Sequence, residues 1–423
     1  MSAFRFTLLC TLAVALLLPV AAFSGQWDEK DPGHQDQKAL DTLKEKGTLD
    51  EETYNLLSEQ LSYKNRFIAR PTGLLVATFT PYNQMKYDEV VTYPGSPDEL
   101  RGFALQEAEF GLKGQMYYDW LKFKMVANGE TLSDGTYTFG LKYAQVSGAY
   151  VPTALKGGSF VPSHGLTIGA MKIPFSRQSL VSSGKLQFID RSIVISEMPI
   201  RYDVGSTFDA SYNIAEDMVN IGLRIGAFNG QGNRVYAADN NDNLQYTGRL
   251  VVDLLGPFAE GEGDQANDRK SYIPQFSFGA SMLQNNDIDR IVKAYGFDAE
   301  LRWWGLSLSG EYITTNFEPD FAENTTPDII ADDWETQGWY VQGGMFVWTH
   351  HIELAVRYEE FMQDLLNDKQ DDQIVSATTA GANFYLASQH RLKLMADYTM
   401  RTEVDGIPEL DNDTFSLAAA FNF

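Results

Sequence analysis

From about residue 67 onward, apolar residues recur at every second position in a series of short stretches. In one of them, Val219, Ile221 and Leu223 alternate with Asn220 and Gly222. Successive side chains of a β-strand point to opposite faces, so this period of two predicts strands with one apolar face and one polar or small-residue face. A fold built from such strands must present its two faces to two different environments.

Sixteen stretches have this character, and they cover most of the chain after residue 66. The predicted strands are residues 67–80, 101–113, 115–127, 136–149, 165–173, 200–213, 217–230, 244–255, 272–284, 292–303, 305–316, 335–348, 350–362, 373–386, 390–401 and 413–423. The junctions after odd-numbered strands are mostly long, whereas several junctions after even-numbered strands are tight turns. Long loops that alternate with short turns are typical of outer-membrane barrels. Two junctions on the short side, 150–164 and 256–271, are long exceptions.

Composition also favours a barrel in lipid. The chain has 35 Gly, 26 Phe, 21 Tyr and 7 Trp, but no later stretch approaches the run of about 18 apolar residues that a membrane helix needs. Backbone groups in hydrocarbon must all be paired, so strands in lipid have to close into a barrel. The predicted fold is all-β: a 16-stranded antiparallel transmembrane β-barrel over residues 66–423, after a short N-terminal helical segment. A large secreted β domain is the alternative, because a sandwich would show the same alternation.

Residues 1–22 are predicted to be a signal peptide. Arg5 supplies the positive start, residues 8–18 are apolar, and residues 20–22 form a small-residue cleavage site. The predicted location is the outer membrane of a Gram-negative cell after cleavage. Cys10, the single cysteine of the chain, lies within this signal. Its position excludes disulfides, thiol catalysis and thiolate metal sites from the mature protein.

Residues 28–64 are predicted to form a periplasmic helical segment. Leu40 and Leu43 lie at helical spacing, and Thr48 with Glu51 has the spacing of a capping box for a second helix. So short a helical pair buries little apolar surface alone. It either associates in an oligomer, lies against the barrel mouth, or serves as a loosely attached linker.

The junction at residues 174–199 is unusual in length and content. Pro174 cannot donate to a strand ladder, so pairing should end there. The junction is rich in Ser and contains Leu180, Phe188 and Ile193 among other apolar residues, too much apolar surface for a solvated linker. We therefore expect it to fold into the barrel as a constriction.

Three short motifs in this region resemble those of the phosphate-selective porin O and P family. They are GAMKIPFSR at residues 169–177, a Ser-Ser pair at 182–183, and FIDRS at 188–192. Residues 40–57 also resemble the helical segment that precedes the barrel in that family. The resemblance implies sixteen strands, a homotrimer, and a third extracellular loop folded inward with basic residues.

Charged side chains in a narrow lumen select permeating ions by sign. Arg and Lys donors suit phosphate oxygens, so basic residues with inward parity or on the inward-folded loop are candidates for an anion-binding constriction. These candidates are Lys122, Lys124, Lys142, Arg177, Lys185, Arg191, Arg201 and Arg224. Strand parity aims Lys172 outward unless the chain bends near Pro174.

The overall charge does not favour a simple anion funnel. Residues 110–225 contain 11 Lys and Arg against 9 Asp and Glu, whereas residues 226–423 contain 12 against 32. The sequence therefore predicts a porin for small hydrophilic solutes, with anions such as phosphate as one possibility. A general or cation-preferring porin remains open, as does a non-conducting surface barrel that acts through acidic loops.

No catalytic constellation is present in the sequence. The five His residues show no metal-ligand spacing, and Ser388 with His390, the nearest to a nucleophile pair, lies at a predicted turn. Residues 239–243 could offer oxygen ligands to calcium but lack an ordered loop pattern. We predict no enzyme activity, cofactor, metal or nucleic-acid partner. The expected partners are outer-membrane lipid and lipopolysaccharide, further copies of the chain, and small inorganic anions.

Overall fold

The computed structural model describes the chain in segments. They are residues 41–46, 50–51, 53–55, 67–83, 102–116, 118–131, 137–150, 160–198, 201–215, 218–230, 243–256, 258, 261–263, 273–287, 290–319, 334–348, 351–364, 372–387, 390–402 and 413–423. Most of these residues lie in strands. The strands are β1 (Phe67–Asn83), β2 (Gly102–Met116), β3 (Tyr118–Thr131), β4 (Tyr137–Tyr150), β5 (Phe160–Lys172), β6 (Tyr202–Ile214), β7 (Val219–Phe228), β8 (Gln245–Leu254), β9 (Gln275–Asn286), β10 (Arg290–Trp303), β11 (Leu306–Pro319), β12 (Trp334–Trp348), β13 (Ile352–Asp364), β14 (Asp372–Ala387), β15 (Leu392–Arg401) and β16 (Thr414–Asn422).

The strands form one closed sheet. Each pairs antiparallel with its sequence neighbours, and β1 pairs with both β2 and β16. In the closing ladder Leu74 lies opposite Asn422 and Thr78 opposite Ala418. Closure gives every described strand a neighbour on both sides, as a hydrocarbon environment requires. The predicted 16-stranded antiparallel barrel is therefore confirmed.

The two faces of the sheet differ as the alternation predicts. On β13, Leu354 and Val356 are 50% and 54% exposed on the outside, whereas Glu353 and Arg357 are 0% and 3% exposed on the inside. An apolar exterior matches lipid. These inner charged residues are buried because residues 187–190 of the β5–β6 connection lie against them.

The strand β5 begins earlier than predicted, at Phe160 rather than residue 165. The pairing with β4 extends only to His164, opposite Tyr150, whereas the pairing with β6 continues to Phe160. Among the described residues Pro162 is paired with β6 alone, and a strand tolerates proline where one side lacks a ladder partner.

The two ends of the barrel differ in their connections. We call the end that carries tight turns such as Trp303–Leu306 the short-turn end, and the opposite one the long-loop end. Trp303, Trp304 and Trp348 are 46%, 58% and 58% exposed at the short-turn end, as an interfacial aromatic girdle requires. The connection between β9 and β10, at the long-loop end, is also a tight turn. In it the N–H of Asp287 donates to the carbonyl oxygen of Arg290 at 2.8 Å.

The N-terminal helical segment is described only in part. Residues 41–45 are helical, as are 51 and 53–55. The second helix is capped by Asp50, whose Oδ1 accepts from the N–H of Thr53 at 2.7 Å; Thr48, the predicted capping residue, lies outside the described residues, as does the predicted signal peptide 1–22. No helix among the described residues is long and apolar enough to cross a membrane.

Candidate functional site

Residues 174–198, which we call the constriction segment, leave β5 and lie against the inner face of the barrel. The segment contains two short helices, Arg177–Leu180 and Ile193–Ser196, and a 3₁₀ turn at Ser183–Lys185. Serine side chains begin both helices: Ser176 Oγ accepts from the N–H of Ser179, and Ser192 Oγ accepts from that of Val194. The Ser-rich composition thus supplies local caps.

The apolar residues of the segment pack on one wall of the barrel. Phe175, Val194 and Ile195 are at most 2% exposed. Together with other residues of the segment they form an apolar core with inward-facing side chains of β7 and of β9 to β14. The wall residues of this core include Phe228, Leu283, Ala294, Ile313, Tyr340, Phe361 and Val375. Burial of this surface fixes the segment against strands β7 to β14.

Wall carboxylates bind the backbone of the segment. Glu311 accepts from the N–H of Arg177 at 3.1 Å and from that of Gln178 at 3.3 Å. Glu359 accepts from Ile193 N at 2.7 Å, and Asp397 from Ile189 N at 2.6 Å. Side-chain oxygens of the wall thus satisfy four backbone N–H groups of the buried segment.

Wall cations bind the carbonyl oxygens of the same segment. Arg249 donates to Phe175 O at 2.7 Å and Arg357 to Asp190 O at 3.0 Å, and Lys393 donates to Leu186 O. These three cations are 6%, 3% and 0% exposed. Much of the wall's charge, of both signs, therefore serves to hold the segment.

Arg177 does not face open water. Its side chain is 15% exposed, and its guanidinium donates to Asp298 at 2.6 Å, to Glu300 at 3.0 Å and to Ser277 Oγ at 2.6 Å. Burial lowers the pKa of Arg177, but the neighbouring carboxylates outweigh it and hold that pKa above its ordinary value. The sequence suggested Arg177 as an ion-binding residue, whereas its contacts are those of an anchor.

Arg191 holds the constriction segment together. It donates to the carbonyl oxygen of Gln178, to that of Val181 at 2.8 Å and to Ser183 Oγ at 3.1 Å. Lys172 also reaches Val181 O, at 2.8 Å, and therefore does not follow the outward parity of β5. The reason is that the described pairing of β5 with β4 ends at Ala170. The chain then turns into the barrel near Pro174, which cannot donate to a strand ladder.

The remaining candidates lie on or near the wall opposite the segment. Lys122 is exposed, Lys124 Nζ lies 3.3 Å from the ring centroid of Tyr143, and Arg201 is half-buried. Two others have acidic partners: Lys142 forms ion pairs with Glu107 and Glu109, and Arg224 with Asp209. Lys185 is half-buried in the segment.

Several of these cations lie close together. The charges of Arg191, Lys142 and Lys124 act on Lys172, and that of Arg201 acts on Arg191. The structure thus brings together five cations between the segment and the β3–β6 wall, with Glu107 and Glu109 as the acids paired there. Arg177 is bound instead to the β9–β10 wall.

The sequence did not point to Gln178, Gln187 or Glu262 as structural residues of the lumen. Gln178 Nε2 donates to Glu262 at 2.8 Å, and Gln187 Nε2 donates to Glu353 at 2.7 Å. For Glu262 the available signal was the length of the β8–β9 junction, which is unusual for the short-turn end.

His390 has no catalytic surroundings among the described residues. It is 3% exposed, lies edge-on to Tyr385 with ring centroids 5.5 Å apart, and has a positive φ of 58° in a turn. Burial, with the nearby charges of Lys393 and Lys185, lowers the pKa of His390 well below its ordinary value. Ser388, its suggested partner, and residues 239–242 of the possible calcium loop lie outside the described residues.

Comparison with known proteins gives matches in sequence and in fold. The family described as phosphate-selective porin O and P matches residues 82–423. An uncharacterized protein of Aquifex aeolicus (strain VF5) is 27% identical over 248 residues, which are 56% of this chain and 59% of that protein. The chain thus spans about three fifths of that curated relative's length.

Solved structures with a similar course of the chain are found at low identity. The loop L8 deletion mutant of OmpT, an outer membrane protein of Vibrio cholerae, has a TM-score of 0.51 at 11% identity and covers 84% of this chain and 99% of its own. An anion-selective porin from Comamonas acidovorans has a TM-score of 0.49 at 14% identity, with 84% and 100% covered. The first of these likenesses supports the fold alone.

The family match includes the constriction segment and all but the beginning of the barrel. A match over that share of the chain, on a closed barrel, points to a channel rather than an enzyme. The chain therefore belongs to the phosphate-selective porin O and P family.

Proposed function

We propose that the protein is an outer-membrane porin through which small hydrophilic solutes diffuse, with a preference for anions such as phosphate. The observation that carries this proposal is the unequal placement of charge around the lumen. Wall acids such as Asp298 and Glu311 lie under the constriction segment, whereas basic side chains collect between that segment and the β3–β6 wall.

The covered acids include Asp298, Glu311 and Glu359, which are 6%, 4% and 3% exposed. Their charges are compensated by Arg177, Arg249 and backbone N–H groups. A permeating ion in water is little influenced by such pairs, because each carboxylate already has a close donor. The acidic composition of the chain is thus compatible with a positive passage.

Lys122, Lys124 and Arg201 are the cations we expect a permeating anion to meet. Lys122 is exposed, and the other two are half-buried. Ammonium and guanidinium groups bind phosphate oxygens, Lys as a point charge and Arg through two parallel donors. Arg191 and Lys142 add positive potential from behind, while their own donors remain on protein oxygens.

Planar-bilayer conductance under a salt gradient tests this function. We expect a reversal potential that favours anions in the native protein, together with block by added phosphate. Joint replacement Lys122→Gln and Lys124→Gln should lower the anion-to-cation permeability ratio roughly two- to fivefold and weaken the block, because the hydrated positive charges are removed.

The control is Lys293→Gln, on the outward parity of Tyr295, where Lys293 pairs with Glu318 at 2.7 Å. This control should leave the anion-to-cation permeability ratio and the phosphate block unchanged. Cation preference without phosphate block in the native protein would remove the anion proposal, and the absence of any conductance would favour a surface barrel.

We further propose a homotrimer in the outer membrane, in contact with lipid and lipopolysaccharide, after removal of residues 1–22. The family resemblance supports the trimer, and the ring of exposed apolar side chains on the strands supports the lipid contact. Mass analysis of the purified complex would check both the assembly and the start of the mature chain.

A further inference from the structure

The connection between β8 and β9 enters the barrel from the short-turn end. Its described residues include Phe258 and residues 261–263, and the latter three are buried. Gly261 and Gly263 have φ values of 114° and 77°, which glycine adopts readily and other residues do not. A Cβ atom on Gly263 would also lie 2.7 Å from Glu353 Oε1. This short sequence is therefore fitted closely to the inner wall.

Between these glycines, Glu262 binds the constriction segment at three points. Its carboxylate accepts from Gln178 Nε2 at 2.8 Å and from the backbone N–H of Gln187 at 2.7 Å. Its own N–H donates to Lys185 O at 2.9 Å. Glu262 is 7% exposed, so these bonds lie away from water. One residue thus joins the first helix of the segment to its 3₁₀ turn and to Gln187.

The same connection is also anchored to the acidic wall. Arg302 donates to Gly261 O, and its guanidinium lies 5.0 Å from the ring centroid of Phe258. Arg302 in turn pairs with Glu300 at 2.6 Å. The connection therefore lies between the constriction segment and the carboxylates of β10.

We propose that Glu262 is a positioning residue for ion selectivity, and that the β8–β9 connection keeps the segment on the acidic wall. Loss of its carboxylate removes the acceptor of Gln178 Nε2 and of Gln187 N, so the part of the segment around Gln187 leaves Glu353 more often. Water then reaches this acid, and a negatively lined path opens beside the cationic one. The expected direction of the change in ion selectivity rests on the proposed anion preference. The positioning role of Glu262 does not.

Glu262→Ala tests the electrical effect. We expect a larger single-channel conductance and an anion-to-cation permeability ratio that falls roughly twofold or more, because a newly hydrated carboxylate favours cations. Glu318→Ala, which removes an exposed acid on the outer face, should change neither quantity. Unchanged conductance and selectivity in Glu262→Ala would overturn the proposal.

A second measurement detects release of the segment directly. No cysteine follows residue 10, so Ser307→Cys introduces a single thiol at a position that is 2% exposed and receives a hydrogen bond from Gln187 Nε2 at 2.8 Å. We expect a water-soluble thiol reagent to label it slowly in the native background and roughly tenfold faster or more with Glu262→Ala, because local opening governs access.

The two readouts separate this proposal from the proposed function. Faster labelling together with a native protein that lacks anion preference would retain the positioning role of Glu262 and reject the anion proposal. Equal labelling in the two backgrounds would reject the positioning role, whatever the native selectivity. Folding of each variant is checked by the shift in gel mobility on heating, and Glu262→Gln, which keeps one acceptor oxygen, should show an intermediate labelling rate.

Discussion

Replacing Asp298 by alanine is expected to destabilise the folded protein by about 3–5 kcal/mol, because breaking a buried ion pair leaves its partner charge without compensation. The Asp298 side chain is 1% exposed and lies between Arg177 Nε at 2.6 Å and Arg249 Nη1 at 2.7 Å. Without the carboxylate, two guanidinium groups with little access to water face each other. Denaturant unfolding in detergent, followed by tryptophan fluorescence, would measure the loss.

The ion pair of Asp209 with Arg224 provides the control. The two side chains are 29% and 46% exposed, so Asp209→Ala should cost about 0–1 kcal/mol, as hydrated ion pairs generally do. Similar losses in the two variants would show that the Asp298 network is not the anchor that its burial indicates.

The strands could be predicted because their pattern is local. In β7, Ile221 and Leu223 alternate with Gly222 and Arg224, and this alternation alone defines the two faces of the strand. Closure followed from a different argument, since strands in hydrocarbon cannot leave edges unpaired. Neither the prediction of the strand faces nor that of closure required knowledge of which residues make contact across the barrel.

The candidate site was less predictable because its partners are far apart in sequence. Arg177 pairs with Asp298, which is 121 residues away. Strand parity predicts that Asp298 faces the lumen, and the inward-folded loop carries Arg177 there, but neither predicts which wall the constriction segment packs on. Five cations therefore meet as a group, while Arg177 is bound to acids. Glu262 was missed for the same reason, since only the length of its connection set it apart.

Phe175 should be as important for the constriction segment as Asp298 is for the wall. Its side chain is 1% exposed within the core that includes Leu283 and Ala294. Phe175→Ala should weaken attachment of the segment by about 3–5 kcal/mol, the usual cost of removing a buried aromatic side chain. Hydrogen exchange of the segment's amides should then accelerate roughly a hundredfold or more, while strand amides remain protected.

The barrel itself should remain closed in this variant, because its ladders do not depend on Phe175. The carbonyl oxygen of residue 175 would still accept from Arg249 at 2.7 Å and from Ser281 Oγ at 2.6 Å, so the loss is confined to side-chain packing. Phe278→Ala provides the comparison, since Phe278 lies on the outer face and is 48% exposed; it should leave exchange of the segment unchanged. Accelerated exchange throughout the strands of Phe175→Ala would instead mean that the segment and the barrel unfold as one cooperative unit.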